Sequence, residues 1–254
     1  MIDIHCHILH GIDDGPVTIE ESLLMAKEAV VEGINTIIAT PHHRNNKYEN
    51  KKESISRQVR ELNSVLKEEN IPLTILPGQE TRIFGEILND YNNGEILTLA
   101  NTDYLFIEFP SSSVPRYAER LLYEIQMAGL TPIIVHPERN KEIIENPNVL
   151  YNLVKNGALT QVTAASIAGY FGKSIKKLSH QLIIHNLTHF VASDAHNTHN
   201  RSFKLNEAFD IIENDIGVDY VYLFTENSEL LIRNENINKE LPEQIKRRKI
   251  LGIF

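Results

Sequence analysis

The sequence predicts an α/β fold with parallel strands, because short apolar runs alternate with longer amphipathic runs along the chain. This alternation is typical of strands that are joined by crossover helices. About seven strand–helix units favour closure into a barrel, and an open doubly wound sheet is the alternative. Polar side chains that can bind metal ions follow nearly every predicted strand, which indicates a site at one end of the sheet.

Seven short apolar runs predict the strands, namely Ile2–His5, Thr36–Ala39, Leu73–Leu76, Tyr104–Ile107, Ile133–Val135, Leu159–Val162 and Phe190–Ala192. Side chains alternate between the two faces of a strand, so we expect Ile2 and Ile4 to share one face of the first strand. Asp3, His5 and His7 then lie on the opposite face, where two imidazoles can bind one metal ion.

Five longer amphipathic runs predict helices. Thr18-Ile19-Glu20-Glu21 has the pattern of a capping box, which predicts a helix from here to about Glu32, and Gly33 ends it. The other four helices are predicted over Glu49–Asn70, Arg116–Ala128, Ser174–Asn186 and Ser202–Asn214.

Length and composition exclude several classes of protein. The 254 residues suffice for one large α/β domain or two small ones, and the net charge of −9 argues against general binding to nucleic acid. No apolar run approaches the roughly 20 residues of a membrane span, and no secretory signal is visible. The single cysteine, Cys6, excludes an internal disulfide and suits a reducing cytosol, so we expect a cytoplasmic protein. We expect the C-terminal stretch Lys239–Phe254, charged and then apolar, to dock on its own domain.

Metal-capable side chains follow the predicted strands at His5, His7, His42, Glu80, Glu108, His136, Asp194 and His196. In parallel α/β barrels the loops after the strands open on one face, so we expect these side chains to converge there. Asp14 lies in a turn after the first pair and is either a ninth ligand or a turn-former. Mixed imidazole and carboxylate ligands favour zinc, manganese or iron over calcium or magnesium. Nine candidates are too many for one ion and fit two to three ions better.

These motifs resemble the PHP (polymerase and histidinol phosphatase) superfamily, and more closely its bacterial manganese-dependent tyrosine-protein phosphatases of capsular and exopolysaccharide operons. The resemblance covers essentially the full length. It rests on Asp3-Ile4-His5-Cys6-His7-Ile8-Leu9, Gly11-Ile12-Asp13-Asp14-Gly15, Ala39-Thr40-Pro41-His42, Pro77-Gly78-Gln79-Glu80, Ile107-Glu108, His136-Pro137-Glu138-Arg139 and Ala192-Ser193-Asp194-Ala195-His196. It implies a single domain over residues 1–254 with the PHP fold, a distorted (β/α)7 TIM-like barrel.

The resemblance also implies two to three Mn²⁺ ions, with Fe or Zn possible, and a ligand set for each. One ion would bind His5, His7, Glu80 and Asp194; a second, bridged by Glu80, would bind Glu108 and His136; the third would bind Asp14, His42 and His196. Arg139 and Arg201 would bind the substrate phosphate, since guanidinium groups match phosphate oxygens in a bidentate way. The alternative for either arginine is a surface salt bridge.

The reaction implied is hydrolysis of phosphotyrosine by a metal-bridging hydroxide, without a phosphoenzyme. The implied substrate is the tyrosine-rich tail of a bacterial tyrosine kinase that regulates polysaccharide synthesis. Cysteine chemistry is not expected, because cysteine-dependent tyrosine phosphatases carry a Cys-x5-Arg loop and Ile12 stands six residues after Cys6. His43 and His199, beside the ligand segments, are candidates for the general acid.

Three alternatives remain open on the sequence. The first is a small-molecule phosphatase of the histidinol-phosphate type, with the same metals. The second is a metal-dependent amidohydrolase, which also begins with His-x-His; Glu80, Glu108 and the pair Asp194 and His196 favour the phosphatase. The third is a non-catalytic metal-binding regulatory module, which the complete ligand set disfavours.

Overall fold

Parallel strands form two sheets in this computed structural model, which describes residues 1–246. The sheet orders are β1-β2-β4 and β3-β5-β6-β7-β8-β9, and each neighbouring pair is parallel. The strands are β1 (Ile2–Cys6), β2 (Thr36–Ala39), β3 (His42–His43), β4 (Thr74–Pro77), β5 (Glu80–Arg82), β6 (Tyr104–Glu108), β7 (Thr131–Val135), β8 (Leu159–Thr163) and β9 (Phe190–Ala192). All seven predicted strands are present, each within one residue or two of its predicted bounds.

The two sheets are connected through the backbone. The chain passes from β2, the central strand of its sheet, into β3, an edge strand of the other sheet, through Thr40 and Pro41. Elsewhere, Cys6 of the edge strand β1 forms a parallel bridge with Ala195, just beyond the edge strand β9. The strand pairing therefore confirms a parallel α/β architecture, but it gives two sheets rather than the one closed barrel expected from the sequence.

The interruption between β4 and β5 requires glycine. A Cβ atom on Gly78 would lie 2.6 Å from Ile38 Cγ2 and 3.2 Å from Ala39 O. Cβ atoms essentially never approach another atom to 2.6 Å, so the chain can pass this close to β2 only because Gly78 has no side chain.

Helices follow most of the strands. They are α1 (Ile19–Val31), α2 (Lys52–Glu68), α3 (Ile87–Asn92), α4 (Ala118–Met127), α5 (Lys141–Glu145), α6 (Asn148–Lys155), α7 (Ala164–Ala168), α8 (Lys173–Ile184), α9 (Leu205–Asp215) and α10 (Val218–Ile232). The five predicted helices correspond to α1, α2, α4, α8 and α9, and Thr18 caps α1 by accepting from Glu21 N at 3.4 Å. The helices α3, α5, α6, α7 and α10 are not predicted by the sequence patterns above.

Strand side chains alternate between two hydrophobic clusters. In β6, Phe106 lies in an inner cluster with residues of other strands, whereas Leu105 and Ile107 lie in an outer cluster against the helices. Leu231 of α10 is part of the inner cluster. Because both faces of these strands are buried, their sequences are nearly continuous apolar runs.

The expected alternation in β1 is wrong at Ile4 and His5. The register between β1 and β2 shifts between Asp3 and Cys6, which is a β-bulge or a similar irregularity. Ile4 lies in the inner cluster with Phe106, and the ring of His5 is only 4.9 Å from the Phe106 ring. Both neighbours therefore reach the same interior, because the extra residue re-aims the side chains. Cys6 faces the outer cluster, away from His5, as expected.

The last described residues fold back on α8. Glu243 N donates to His185 O at 2.8 Å, and Asn186 Nδ2 donates to Leu241 O at 3.0 Å. Ile245 is buried in the outer cluster. The apolar end of the C-terminal stretch, residues 250–254, lies outside the described residues. Among the described helices, none combines the length and the apolar character needed to cross a membrane.

Candidate metal centre

The nine predicted ligands lie together beyond the carboxyl ends of the strands, where the loops converge as expected for parallel strands. Each belongs to a strand end or to the loop that follows it. β1 and its loop supply three ligands, β3, β5 and β6 supply one each, and the loops after β7 and β9 supply the remaining three. They are His5, His7, Asp14, His42, Glu80, Glu108, His136, Asp194 and His196.

The first group lies deepest and joins both histidines of β1 and its loop to two carboxylates. His5 Nε2 is 3.6 Å from Glu80 Oε2 and 3.4 Å from Asp194 Oδ1. His7 Nε2 is 3.3 Å from the same two oxygen atoms. His5, His7 and Glu80 thus form one compact group, and Asp194 contacts both of its histidines. These are the four residues that the family resemblance implies for one ion.

Glu80 extends this group toward two further side chains. Its Oε1 lies 2.7 Å from His136 Nε2, while its Oε2 lies 2.7 Å from His42 Nδ1. Glu108 Oε2 is 3.8 Å from the same His42 nitrogen, so that His42, Glu80 and Glu108 form a second compact group. Glu80 is therefore placed to bridge two cations.

The third group surrounds Asp14. Asp14 Oδ1 lies 3.4 Å from Nε2 of His42 and 3.4 Å from Nε2 of His196. His7 also belongs to this group, whose ligand atoms all lie within 4.8 Å of one another. The family resemblance assigns His7 and His42 to one ion each. In the structure His7 belongs to two groups, and His42 contributes Nδ1 to the group with Glu80 and Nε2 to the group with Asp14.

Several buried polar atoms of the centre have no hydrogen-bond partner. They are His42 Nδ1, Glu80 Oε2, Glu108 Oε2 and His196 Nε2. His42 Nδ1 and Glu80 Oε2 lie 2.7 Å apart, but the angles of this contact are not those of a hydrogen bond. A buried polar atom without a partner costs about 1–3 kcal/mol, and more when it is charged. Because these atoms point at other potential ligands without bonding to them, the centre fits divalent cations that would satisfy all four. The mixed imidazole and carboxylate set suits manganese, iron or zinc.

Burial and mutual interactions shift the ionisation of the centre. Burial alone would raise the pKa of Glu80, but the nearby imidazoles of His42 and His5 hold it well below its usual range. Burial and the charge of Glu80 raise the pKa of Glu108 to about 8. Burial opposes protonation of His42, yet the Glu80 and Asp14 carboxylates raise its pKa to about 10. Without a cation, His42 is thus held protonated and Glu108 neutral beside the Glu80 carboxylate, so a cation that binds to these ligand atoms has to displace their protons.

Two of the histidines are oriented by side chains that are not among the predicted site residues. Gln161 Oε1 lies 2.8 Å from His5 Nδ1, and Asp13 Oδ2 lies 2.7 Å from His7 Nδ1. In each ring, a proton on Nδ1 would leave the Nε2 lone pair free for a cation. Asp13 also accepts from Gly15 N and from the backbone N of His42, so it links two ligand segments.

Two signals in the sequence could have revealed these partners. Gln161 is the central residue of the fully buried strand β8, and a buried polar side chain in a strand needs a specific partner. Asp13 immediately precedes Asp14, and only Asp14 was considered as a ligand. Arg82, which lies 3.1 Å from Glu108 Oε1, was also missed.

Both predicted arginines lie at the centre and line a cavity of about 310 Å³ together with ligand side chains. Arg139 Nη2 is 2.7 Å from Asp194 Oδ2, and Arg201 Nη1 is 2.8 Å from Asp14 Oδ2. Neither candidate for the general acid lines this cavity. His43 is fully buried in β3, and His199 is exposed beside a neighbouring cavity of about 220 Å³.

Comparison with known proteins gives strong matches over nearly the whole chain. Residues 1–233 match the family model described as capsular polysaccharide synthesis, CpsB/CapC. The chain is 50% identical over 254 residues to the tyrosine-protein phosphatase YwqE of Bacillus subtilis (strain 168), and the match covers 100% of both. It is 32% identical over 243 residues to the tyrosine-protein phosphatase CpsB of Streptococcus pneumoniae, covering 93% of this chain and 100% of that relative.

Solved structures agree with these sequence matches. One chain from the crystal structures of YwqE from Bacillus subtilis and CpsB from Streptococcus pneumoniae, described as unique metal-dependent tyrosine phosphatases, superposes with a TM-score of 0.95. This match has 50% identity and covers 97% of this chain and 100% of that chain. A single-residue mutant of an organophosphorus hydrolase from Deinococcus radiodurans, at 12% identity, matches with a TM-score of 0.56 over 91% of this chain and 92% of that one. The second likeness shows a shared fold alone.

Proposed function

Since this chain belongs to the CpsB/CapC capsular polysaccharide synthesis family, we propose that it is a metal-dependent protein-tyrosine phosphatase. One observation carries the proposal: nine imidazole and carboxylate side chains converge beside two arginines that line a cavity. Carboxylates and imidazoles bind cations, and guanidinium groups bind phosphate, so the site provides for both. The relatives are named tyrosine-protein phosphatases, and these names support phosphotyrosine as the substrate class.

We further propose Mn²⁺ as the native metal, with two to three ions shared as the family resemblance implies. The ligands would be His5, His7, Asp14, His42, Glu80, Glu108, His136, Asp194 and His196. The two sheets would together form a distorted seven-stranded barrel within one domain spanning residues 1–254. The contact between Cys6 and Ala195, where the two sheet edges meet, supports this description.

The chain's own residues would bind and orient the phosphate. Arg139 and Arg201 donate hydrogen bonds to its oxygen atoms and offset their charge. When bound, the cations would lower the pKa of a water molecule and offset charge on the transferring phosphoryl group. The tyrosine phenol leaves with a pKa near 10, so it needs less help from a proton donor than an alcohol does. Cys6 does not serve as a nucleophile, because it is buried against the outer cluster and burial raises the pKa of its thiol.

As substrate we propose phosphotyrosine in the tyrosine-rich tail of a bacterial tyrosine kinase that regulates polysaccharide synthesis, in the cytoplasm. The family's connection with capsular polysaccharide synthesis supports this partner. The side chain of Arg201, which lines the cavity, is 33% exposed to solvent. A flexible tail can therefore reach the cavity at Arg201.

Turnover of a phosphotyrosine peptide, compared with histidinol phosphate, tests the proposal. Both substrates are assayed with Mn²⁺ at matched concentrations. We expect a higher kcat/KM for the peptide. A clear preference for histidinol phosphate would favour the small-molecule phosphatase, and turnover of neither substrate nor of p-nitrophenyl phosphate would favour a non-catalytic module.

A further inference from the structure

Two exposed aromatic side chains stand at the tip of the turn between α7 and α8. Tyr170 is 57% exposed and Phe171 is 40% exposed. Tyr170 N donates to Ala165 O at 3.0 Å, and Gly172 N donates to Gly169 O at 3.0 Å. Both glycines have positive φ values, of 95° and 93°, which other residues rarely adopt. The backbone thus fixes a turn that presents two large aromatic rings to solvent.

The two rings have different surroundings. Tyr170 Oη donates to Glu207 Oε2 at 3.0 Å, and Lys204 Nζ lies 5.1 Å from the centre of the same ring. Tyr170 therefore attaches the turn to α9 and to the residue before it. Phe171 lies instead against the centre, since its ring is 5.5 Å from Arg139 Cζ.

A buried glutamate fixes the position of this turn relative to Arg139. Glu138 precedes Arg139, and its Oε1 accepts from Ser166 Oγ in α7 at 2.7 Å and from Thr163 N at 2.9 Å. Because Glu138 is fully buried, the segment with Arg139 and the helix that leads to Phe171 are held together. Buried hydrogen bonds therefore hold Phe171 beside Arg139, next to the residues that line the cavity of about 310 Å³ but not among them.

We propose that Phe171 forms the subsite for the phenyl ring of the substrate, an inference that rests on the proposed function. In an aryl phosphate the ring joins the phosphate through a single oxygen, so a phosphate held by Arg139 brings the ring next to the neighbours of Arg139. Phe171 is an exposed apolar side chain in contact with the guanidinium of Arg139. Aromatic rings pair favourably in offset or edge-to-face arrangements. Phe171 would thus favour aryl over alkyl phosphates.

A different role for Phe171 would be to orient Arg139 by stacking on its guanidinium. The two roles differ in what they require of the ligand. Inorganic phosphate binds Arg139 but has no ring. A subsite for the ring therefore leaves the affinity for inorganic phosphate unchanged, whereas an orienting role weakens it together with the affinity for substrate.

The test uses the full chain with Mn²⁺ and compares Phe171→Ala, Phe171→Tyr and a control, Tyr123→Ala. Tyr123 is an aromatic side chain of α4, 60% exposed, and it lines a different cavity of about 540 Å³. We measure kcat and KM for a phosphotyrosine peptide and the inhibition constant of inorganic phosphate. Phe171→Ala should raise KM about three- to tenfold, as expected for the loss of an aromatic pair. It should leave kcat and the inhibition constant of phosphate unchanged. Phe171→Tyr and Tyr123→Ala should match the wild type.

Two results would overturn the subsite. One is an unchanged KM in Phe171→Ala, and the other is a weakening of phosphate inhibition in proportion to the rise in KM. In both cases the wild type hydrolyses the peptide, so the proposed function stands. If the wild type does not hydrolyse the peptide, the proposed function fails and the subsite fails with it.

Discussion

Arg201 Nη1 donates to Asp14 Oδ2 at 2.8 Å, although 187 positions separate the two residues in the chain. Arg139 has the same relationship to Asp194, at 2.7 Å. Each arginine that we expect to bind phosphate is thus paired with a carboxylate that we expect to bind a cation. A cation that attracts the carboxylate weakens its hold on the guanidinium, so metal binding should prepare the arginines for phosphate.

The arginines provide the first prediction. Replacing Arg139 or Arg201 with Ala should raise KM for a phosphotyrosine peptide about 10- to 100-fold, because a hydrogen bond to a charged group contributes roughly 1.5–3 kcal/mol. Lysine should restore only part of this loss, since it lacks the bidentate fork. Steady-state kinetics and inhibition by inorganic phosphate measure the effect. Arg120→Ala, on the exposed side of α4, is the control. Unchanged KM in both variants would remove the arginines from the phosphate site.

The second prediction concerns the metals. Excess chelator should abolish turnover and Mn²⁺ should restore it. Glu80→Gln should lower activity by more than the factor of about 10 to 100 that is typical of groups outside the ligand set, because Glu80 lies close to four imidazoles and belongs to two ligand groups. Glu61→Gln, exposed on α2, is the matched control. Elemental analysis checks the metal content of each protein. Full activity in metal-free wild type would reject the metal-dependent scheme.

Cys6 gives the third prediction. Cys6→Ser should keep most of the phosphatase activity, because the thiol is buried on the face of β1 that looks away from His5. The variant should lose stability by about 1 kcal/mol, a typical cost for a core substitution. Kinetics and urea denaturation measure the two effects separately. Near-complete loss of activity with a normally folded protein would mean that Cys6 takes part in the reaction.

The fourth prediction concerns acid stability and uses His189, which lies outside the metal centre. His189 is buried, and its Nδ1 accepts from Thr160 N at 3.1 Å. Burial and then the charge of Lys239 lower its pKa to about 3. The unfolded chain, with a histidine pKa near 6.5, binds more protons between these values, so the free energy of unfolding falls as pH decreases from 6.5 toward 3. His189 should contribute up to about 1.4 kcal/mol per pH unit to this fall.

His189→Asn isolates this contribution, because the asparagine oxygen can accept the same hydrogen bond without titrating. Denaturant unfolding of the metal-free wild type and variant at pH 7, 6 and 5 should show a smaller decline in the variant. Other largely buried histidines, such as His136 with a pKa lowered to about 4, change the free energy of unfolding with pH by the same amount in both proteins. Parallel declines would show that His189 is not buried in its neutral form.

The strands and the convergence of the candidate ligands were predictable because each depends on a strong local signal. Strands buried on both faces are continuous apolar runs, as in Ile133–Val135, and such runs stand out from the amphipathic helices around them. A polar residue directly after such a run, such as His136, lies at a largely buried position and therefore indicates a binding or catalytic role. Parallel topology then brings these residues to one face, whatever the exact number of strands.

Other features depend on contacts that a linear sequence does not contain. The register shift in β1 places Ile4 and His5 toward the same interior, and no local pattern signals it. The helix α10 was missed because apolar side chains are spread around it, including Val218 and Tyr222, which remain exposed. Gln161 and Asp13 act on histidines through side-chain contacts made only in the folded protein.

The pairing of Cys6 with Ala195 has a consequence for synthesis of the protein. The residues beside this contact, His5 and Asp194, come from early and late parts of the chain, and they approach to 3.4 Å. A nascent polypeptide still emerging from the ribosome therefore has its first two histidines long before the aspartate that completes their group. Catalytic competence should arise in one late step of translation, once the ninth strand has joined the first.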